Sequence, residues 1–124
     1  MIAGLDHVQL AAPPGCEEEA RRFFGGLLGL RELEKPPALA ARGGAWFACG
    51  AHAVHVGVEN DFAPAWKAHP AFALESAAAV DALASRLAGA GTSVRFDEEL
   101  PGYRRFYAED PWGNRLEFLA RLRA

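Results

Sequence analysis

Apolar and polar or small positions alternate with period two over eight short stretches, residues 5–12, 30–34, 45–48, 52–58, 69–75, 92–96, 103–108 and 115–119, and each predicts a β-strand. Two other stretches switch to helical spacing. Glu17, Glu18 and Glu19 load the positive end of a helix dipole, and Ala20, Phe23, Phe24, Leu27 and Leu28 supply an apolar stripe up to Gly29, so a helix of about three turns is expected. Ser76 is a good N-cap for a second helix, in which Val80, Leu83 and Leu87 make the buried stripe and Gly91 the stop. Residues 59–67 carry Asn-Asp, Pro64 and no clean period, and read as a linker.

The order of elements repeats. Each half runs strand, helix, then three strands, giving one α+β domain over residues 1–124 built from a βαβββ module at 1–58 and another at 68–124. An offset of 62 takes His7 to His69, His55 to Glu117 and Gly29 to Gly91. If the modules pair about a pseudo-twofold axis, they make a half-open eight-stranded mixed-sheet cup, and His7, His55, His69 and Glu117 come to its inner face. The residues beside them on that face, Ala53, Gly57, Ala71 and Ala73, are small and leave room for a ligand. Imidazole nitrogens with a carboxylate oxygen suit one borderline divalent metal ion such as zinc, nickel, manganese or ferrous iron, and do not suit a calcium cage.

Composition removes competing classes. A hydrophobic share of 51% with 23% charged residues is that of an ordinary globular chain, so disorder is not expected. A formal net charge of −3 with dispersed lysines and arginines argues against nucleic acid as a partner. No apolar run reaches membrane-spanning length and no basic-then-apolar leader opens the chain, so no membrane partner and a cytoplasmic location are expected. Cys16 and Cys49 make neither a disulfide framework nor a metal motif. Gly25, Gly26 and Gly29 follow a helix and do not precede one, which rules out a phosphate cradle.

Three segments carry a resemblance. Leu5-Asp6-His7-Val8, His69-Pro70-Ala71-Phe72 and the closing Asp110-Pro111-Trp112-Gly113-Asn114-Arg115-Leu116-Glu117-Phe118 resemble the vicinal oxygen chelate superfamily, which includes glyoxalase I, fosfomycin-resistance thiol transferases, extradiol dioxygenases and bleomycin-resistance proteins. The resemblance implies a glyoxalase-like fold around a metal, with ligands at His7, His69 and Glu117 and a fourth, variable place at His55. It also implies a lyase, isomerase or ring-cleaving dioxygenase acting on a small metabolite whose adjacent oxygens chelate the metal. The alternative is a non-catalytic binding protein of the bleomycin-resistance type.

Within that frame Glu117 and His55 are the expected catalytic groups, each a ligand or an acid/base. Tyr103, Arg104 and Arg105 lie on the strand before the closing turn, where an arginine can hold an anionic substrate group. Gln9, where the fosfomycin transferases carry a threonine, is a further substrate contact, and Trp46 and Phe47 are candidates for a cavity wall. A small-molecule substrate and a homodimer complete the expectation.

Overall fold

Alternation along the strands produces a four-stranded mixed sheet in each half of the chain. The structure, a computed structural model, describes residues 1–122. The chain divides into two units, Met1–Pro64 and Ala65–Ala124, with the boundary inside the segment read as a linker.

In the first unit the strands are β1 (His7–Ala12), β2 (Glu32–Leu33), β3 (Ala45–Cys49) and β4 (His52–Val58). Their order in the sheet is β1-β4-β3-β2, with β1 parallel to β4 and the other pairs antiparallel. Leu10, Ala12, Ala45, Phe47, Val54 and Val56 point to one face and are buried. The helical segment covers that face through Phe23 and Phe24, the latter 5.7 Å from the Phe47 ring.

That helical segment differs from the expected regular helix. Only α1 (Glu17–Ala20) is α-helical, and the chain continues as a π-helix over Arg21–Leu27. The Leu28 N–H donates to the Phe23 carbonyl, five residues back, at 2.9 Å. A wider turn lets the sequence neighbours Phe23 and Phe24 both reach the sheet, and Gly25-Gly26 gives the α form little propensity to resist it. A one-turn helix, α2 (Pro37–Ala40), also forms within the expected loop, started by a proline whose fixed φ suits a first helical position.

In the second unit β5 (Ala71–Ala73), β6 (Val94–Asp97), β7 (Tyr103–Glu109) and β8 (Arg115–Arg121) take the order β5-β8-β7-β6, the same arrangement as in the first unit. β5 is shorter than the expected strand, although the ladder is flanked by Glu117 N–H donating to the Pro70 carbonyl and Leu74 N–H donating to the Leu119 carbonyl. The helix α3 (Ala77–Gly89) is capped as expected, since Ser76 Oγ accepts from the Ala79 N–H at 3.1 Å. Val80, Ala84 and Leu87 form its buried stripe, with Leu83 half-buried at the edge. Beneath it Phe72, Phe106 and Phe118 stack in a row at 5.2 and 5.0 Å.

The register makes the internal repeat explicit. Gln9 pairs with His55, and Ala71, 62 residues on from Gln9, pairs with Glu117, 62 residues on from His55. Trp46 opposite His55 and Tyr107 opposite Glu117 are likewise counterparts, at an offset of 61. Each unit therefore sets its polar residue beside a large aromatic one, with Gln9 on the other side of His55 and the small Ala71 on the other side of Glu117.

Candidate metal centre

In the second unit Glu117 faces away from α3, yet it is only 6% exposed. Its two oxygens have different partners. Oε1 lies 2.9 Å from His69 Nε2, and Oε2 accepts from Arg105 Nη1 at 3.2 Å. Arg105 is anchored in turn, donating from Nη2 and Nε to Asp97 Oδ1 at 2.9 and 3.2 Å. Hydrogen bonds from the Glu99 N–H and from Arg105 hold the Asp97 carboxyl below the usual carboxylate range.

His69 Nδ1 lies 2.9 Å from the Lys67 carbonyl oxygen. A carbonyl can only accept, so Nδ1 carries a proton, and Nε2 presents a lone pair wherever it carries none. Nε2 and a carboxylate oxygen at 2.9 Å both have lone pairs in that form, and a cation between or beside them, a proton on Nε2 or a metal ion, is what makes the contact favourable. This is the ligand-and-orienting-carbonyl arrangement that suits a metal.

The closing turn fixes where this pair sits. Asp110 Oδ1 accepts from the Trp112 and Asn114 N–H groups at 3.0 and 2.9 Å, and Oδ2 accepts from Asn114 Nδ2 at 2.8 Å. Burial pushes the Asp110 carboxyl upward, and the bonds from Asn114 act against that rise. Asn114 Oδ1 accepts from the Ala65 N–H at 3.0 Å, and the Arg115 N–H donates to the Ala65 carbonyl at 2.9 Å. The turn therefore pins the start of the segment that delivers His69, four residues before it.

In the first unit His7 and His55 are brought together as a stack, ring centroids 3.9 Å apart and planes 16° from parallel. The other face of His55 lies on Trp46, at 4.0 Å and 5°. Imidazole lone pairs lie in the ring plane, so two stacked rings cannot both direct one at the same ion, and a shared metal needs one ring to turn out. His7 is the freer of the two, half-exposed, with Nδ1 held 2.9 Å from Asp6 Oδ1. Its hydrogen bond and charge hold the Asp6 carboxyl below its ordinary value. His55 is buried, and burial followed by repulsion from His7 pushes its pKa down, which favours the neutral ring.

The remaining expected residues divide. Gln9 lies beside His55 in register, with its amide over Gly57, where a Cβ would crowd it. Tyr103 shares the Glu117 face and lines a cavity of about 680 Å³ with Ala73, Leu119 and Arg121. Arg104 lies on the opposite face, bound to Asp81 of α3 at 2.9 Å and over the Phe96 ring, because strand alternation turns it away from Glu117. Arg105 reaches the site, but its fork is engaged by Asp97 and Glu117, so it positions the glutamate. Tyr107 was not among the expected residues, although it sits edge-on to His69 at 5.7 Å. Its position on the face shared with Glu117 could have been read from strand alternation. Among the described residues no three His, Cys, Asp or Glu side chains form one metal-holding group.

Two four-stranded mixed sheets with this strand order, each ending on a polar pair beside small residues, define the glyoxalase-like fold. The family model described as the Glyoxalase/Bleomycin resistance protein/Dioxygenase superfamily matches residues 4–118, and the chain belongs to this superfamily. It is similar to a glyoxalase family protein from Bacillus anthracis, with 48% identity over 98% of this chain and 97% of that one and a TM-score of 0.92. A lactoylglutathione lyase from Agrobacterium tumefaciens shares the fold at 18% identity, over 96% and 94% of the two chains, with a TM-score of 0.76. So does the fosfomycin resistance protein FosX of Listeria monocytogenes, an E126Q mutant complexed with Mn(II) and 1S,2S-dihydroxypropylphosphonic acid, at 19% identity over 98% and 94% and a TM-score of 0.80. A comparison with curated protein sequences finds no match.

Proposed function

We propose that the protein is a divalent-metal-dependent enzyme of the lyase, isomerase or dioxygenase type, acting on a small metabolite that chelates the metal through adjacent oxygens. The observation that carries this reading is the His69–Glu117 pair, whose facing lone pairs call for a cation. His7, His69 and Glu117 are the proposed ligands, and His55 joins them if it leaves its stack. Each unit offers two donors. A homodimer is the proposed assembly.

A bound divalent ion acts as a Lewis acid, drawing the substrate's oxygens and stabilising negative charge that develops on them. The residues of this chain do the rest. Arg105 fixes one oxygen of Glu117 and leaves the other toward His69, and Lys67 fixes the His69 ring. His55, kept neutral by burial and covered on one face by Trp46, is placed to accept a proton. The small Ala53, Ala71 and Ala73 leave space above the sheets, while the Gln9 amide covers Gly57. In keeping with this reading, the FosX structure of similar fold holds Mn(II) and a phosphonic diol.

The test is the metal found in protein purified anaerobically without added ions. Iron, zinc, nickel or manganese bound stoichiometrically supports the reading, with iron pointing to oxygen chemistry, zinc or nickel to isomerisation, and manganese to thiol transfer. Undiminished folding and small-molecule binding after chelation would replace it with a metal-free binding protein.

A further inference from the structure

Around Tyr107 the second sheet gathers three guanidinium groups. Arg95, Arg105 and Arg115 place their Cζ atoms 5.5, 5.3 and 5.1 Å from its ring centroid. The register explains the cluster. Arg95 on β6 is directly opposite Tyr107, Tyr107 is directly opposite Glu117, and Arg115 precedes Glu117 by two residues on β8, so all four share one sheet face.

The three arginines are not equivalent. Arg105 is committed to Asp97 and Glu117. Arg95 and Arg115 form no ion pair among the described residues, and their contacts are with the Tyr107 ring. Both line a cavity of about 160 Å³ together with Ser93, Tyr107 and Glu109. Glu109 is opposite Arg115 in the β7–β8 register, but it is exposed and makes no ion pair with it among the described residues. Two guanidinium forks steadied on one aromatic ring, with donors free and a hydroxyl nearby, are built to take a planar or tetrahedral oxyanion.

We propose that Arg95 and Arg115, flanking Tyr107, bind an oxyanionic group of the substrate, a carboxylate or a phosphonate. The assignment to substrate rests on the metal-dependent reading above. Strand spacing and rise put this site about 7–10 Å from Glu117. The anionic group is therefore separated by a few bonds from the oxygens that chelate the metal. This narrows the substrate class to small acids, and excludes neutral diols or quinols.

The experiment is a titration of protein stripped of metal and dialysed free of chelator, using acetate, methylphosphonate and neutral acetamide, followed by NMR of the arginine Nε–Hε groups. The expected result is that Arg95 and Arg115 signals shift with the anions and not with acetamide. Arg95→Gln and Arg115→Gln should each weaken binding about tenfold, as loss of a charge-assisted pair implies. Arg115→Lys should restore part of it, and Glu109→Gln should tighten it. Tighter acetate assigns a carboxylate, and tighter methylphosphonate assigns a phosphonate. An equal response to acetamide, or anion binding unchanged in both glutamine variants, overturns the proposal. Metal binding is measured separately on the same protein. A chain that binds metal and ignores the anions keeps the enzymatic reading and loses this site, and the converse result separates them the other way.

Discussion

His69 Nε2 faces Glu117 Oε1 at 2.9 Å while its Nδ1 faces the Lys67 carbonyl at the same distance. One ring nitrogen is thereby committed to the backbone, and the other faces a carboxylate. The arrangement is poised for a cation, and the charge on Glu117 is what selects it.

Removing that charge while keeping the shape is therefore the sharpest substitution at the pair. Glu117→Gln should lower metal affinity by more than about 100-fold, since even residues that only orient a ligand are worth about 10–100-fold. Asp6→Asn, which weakens the hold on His7 Nδ1, should cost about tenfold. Competition titration with a chromogenic chelator measures both. A smaller loss for Glu117→Gln than for Asp6→Asn would reverse their proposed roles.

The closing turn should matter to stability more than a turn ordinarily does. Asp110→Ala removes the carboxylate that accepts from the Trp112 N–H, the Asn114 N–H and Asn114 Nδ2, in a place where Asp110 and Asn114 are both buried. The expected loss is about 3 kcal/mol in urea denaturation, on the scale of stranded buried donors. It should be accompanied by weaker metal binding, because Asn114 also pins the segment leading to His69. A change under about 0.5 kcal/mol, the usual range for surface positions, would deny the turn that role.

His55 sets a pH dependence. Burial, then repulsion from His7, set against a pull from Asp6 and joined by a smaller repulsion from Lys35, lowers its folded-state pKa below the ordinary value of about 6.5. Between the lowered value and about 6.5 the unfolded chain binds more protons, so stability rises with pH through that window. The contribution is full above about pH 6.5 and is lost as pH falls through the folded-state pKa. In metal-stripped protein His55→Phe, which keeps an aromatic ring between Trp46 and His7, should flatten the melting temperature over this range. A slope unchanged by the substitution would place the titration elsewhere.

Two glycines of the first unit should respond differently to the same methyl group. Gly44 has φ +84° and its added Cβ would meet the Val56 carbonyl, part of a paired strand that cannot yield. Gly44→Ala should cost about 3 kcal/mol or more. At Gly57 the obstacle is the end of the Gln9 side chain, which can swing aside. Gly57→Ala should cost less than about 1 kcal/mol and move Gln9 instead. Thermal melts of the two variants compare them directly.

Much of the architecture was legible because alternation with period two carries its own geometry. The positions of His55 and Glu117 between apolar neighbours, and the 62-residue offset, reappear in the register as Gln9↔His55 and Ala71↔Glu117. The π-helix over Arg21–Leu27 was not legible, since Phe23 and Phe24 fit an α-helical stripe until packing asks both to face the same sheet. Nor was the engagement of Arg105. Three successive residues, Tyr103, Arg104 and Arg105, carry the same promise in sequence, and only the partners on neighbouring elements, Asp81 for Arg104 and Asp97 with Glu117 for Arg105, decide which way each charge is used. The stacking of His7 on His55 is likewise a matter of rotamers, which spacing does not record.

The most direct measurement is the number of divalent ions bound per chain at saturation, determined by equilibrium dialysis and elemental analysis for the wild-type protein and for His7→Ala, His69→Ala and Glu117→Gln. One ion per wild-type chain, with none retained at the same concentration by any of the three variants, is the predicted result. Stoichiometric metal retained by His69→Ala and Glu117→Gln, or none bound by the wild type, would contradict the account.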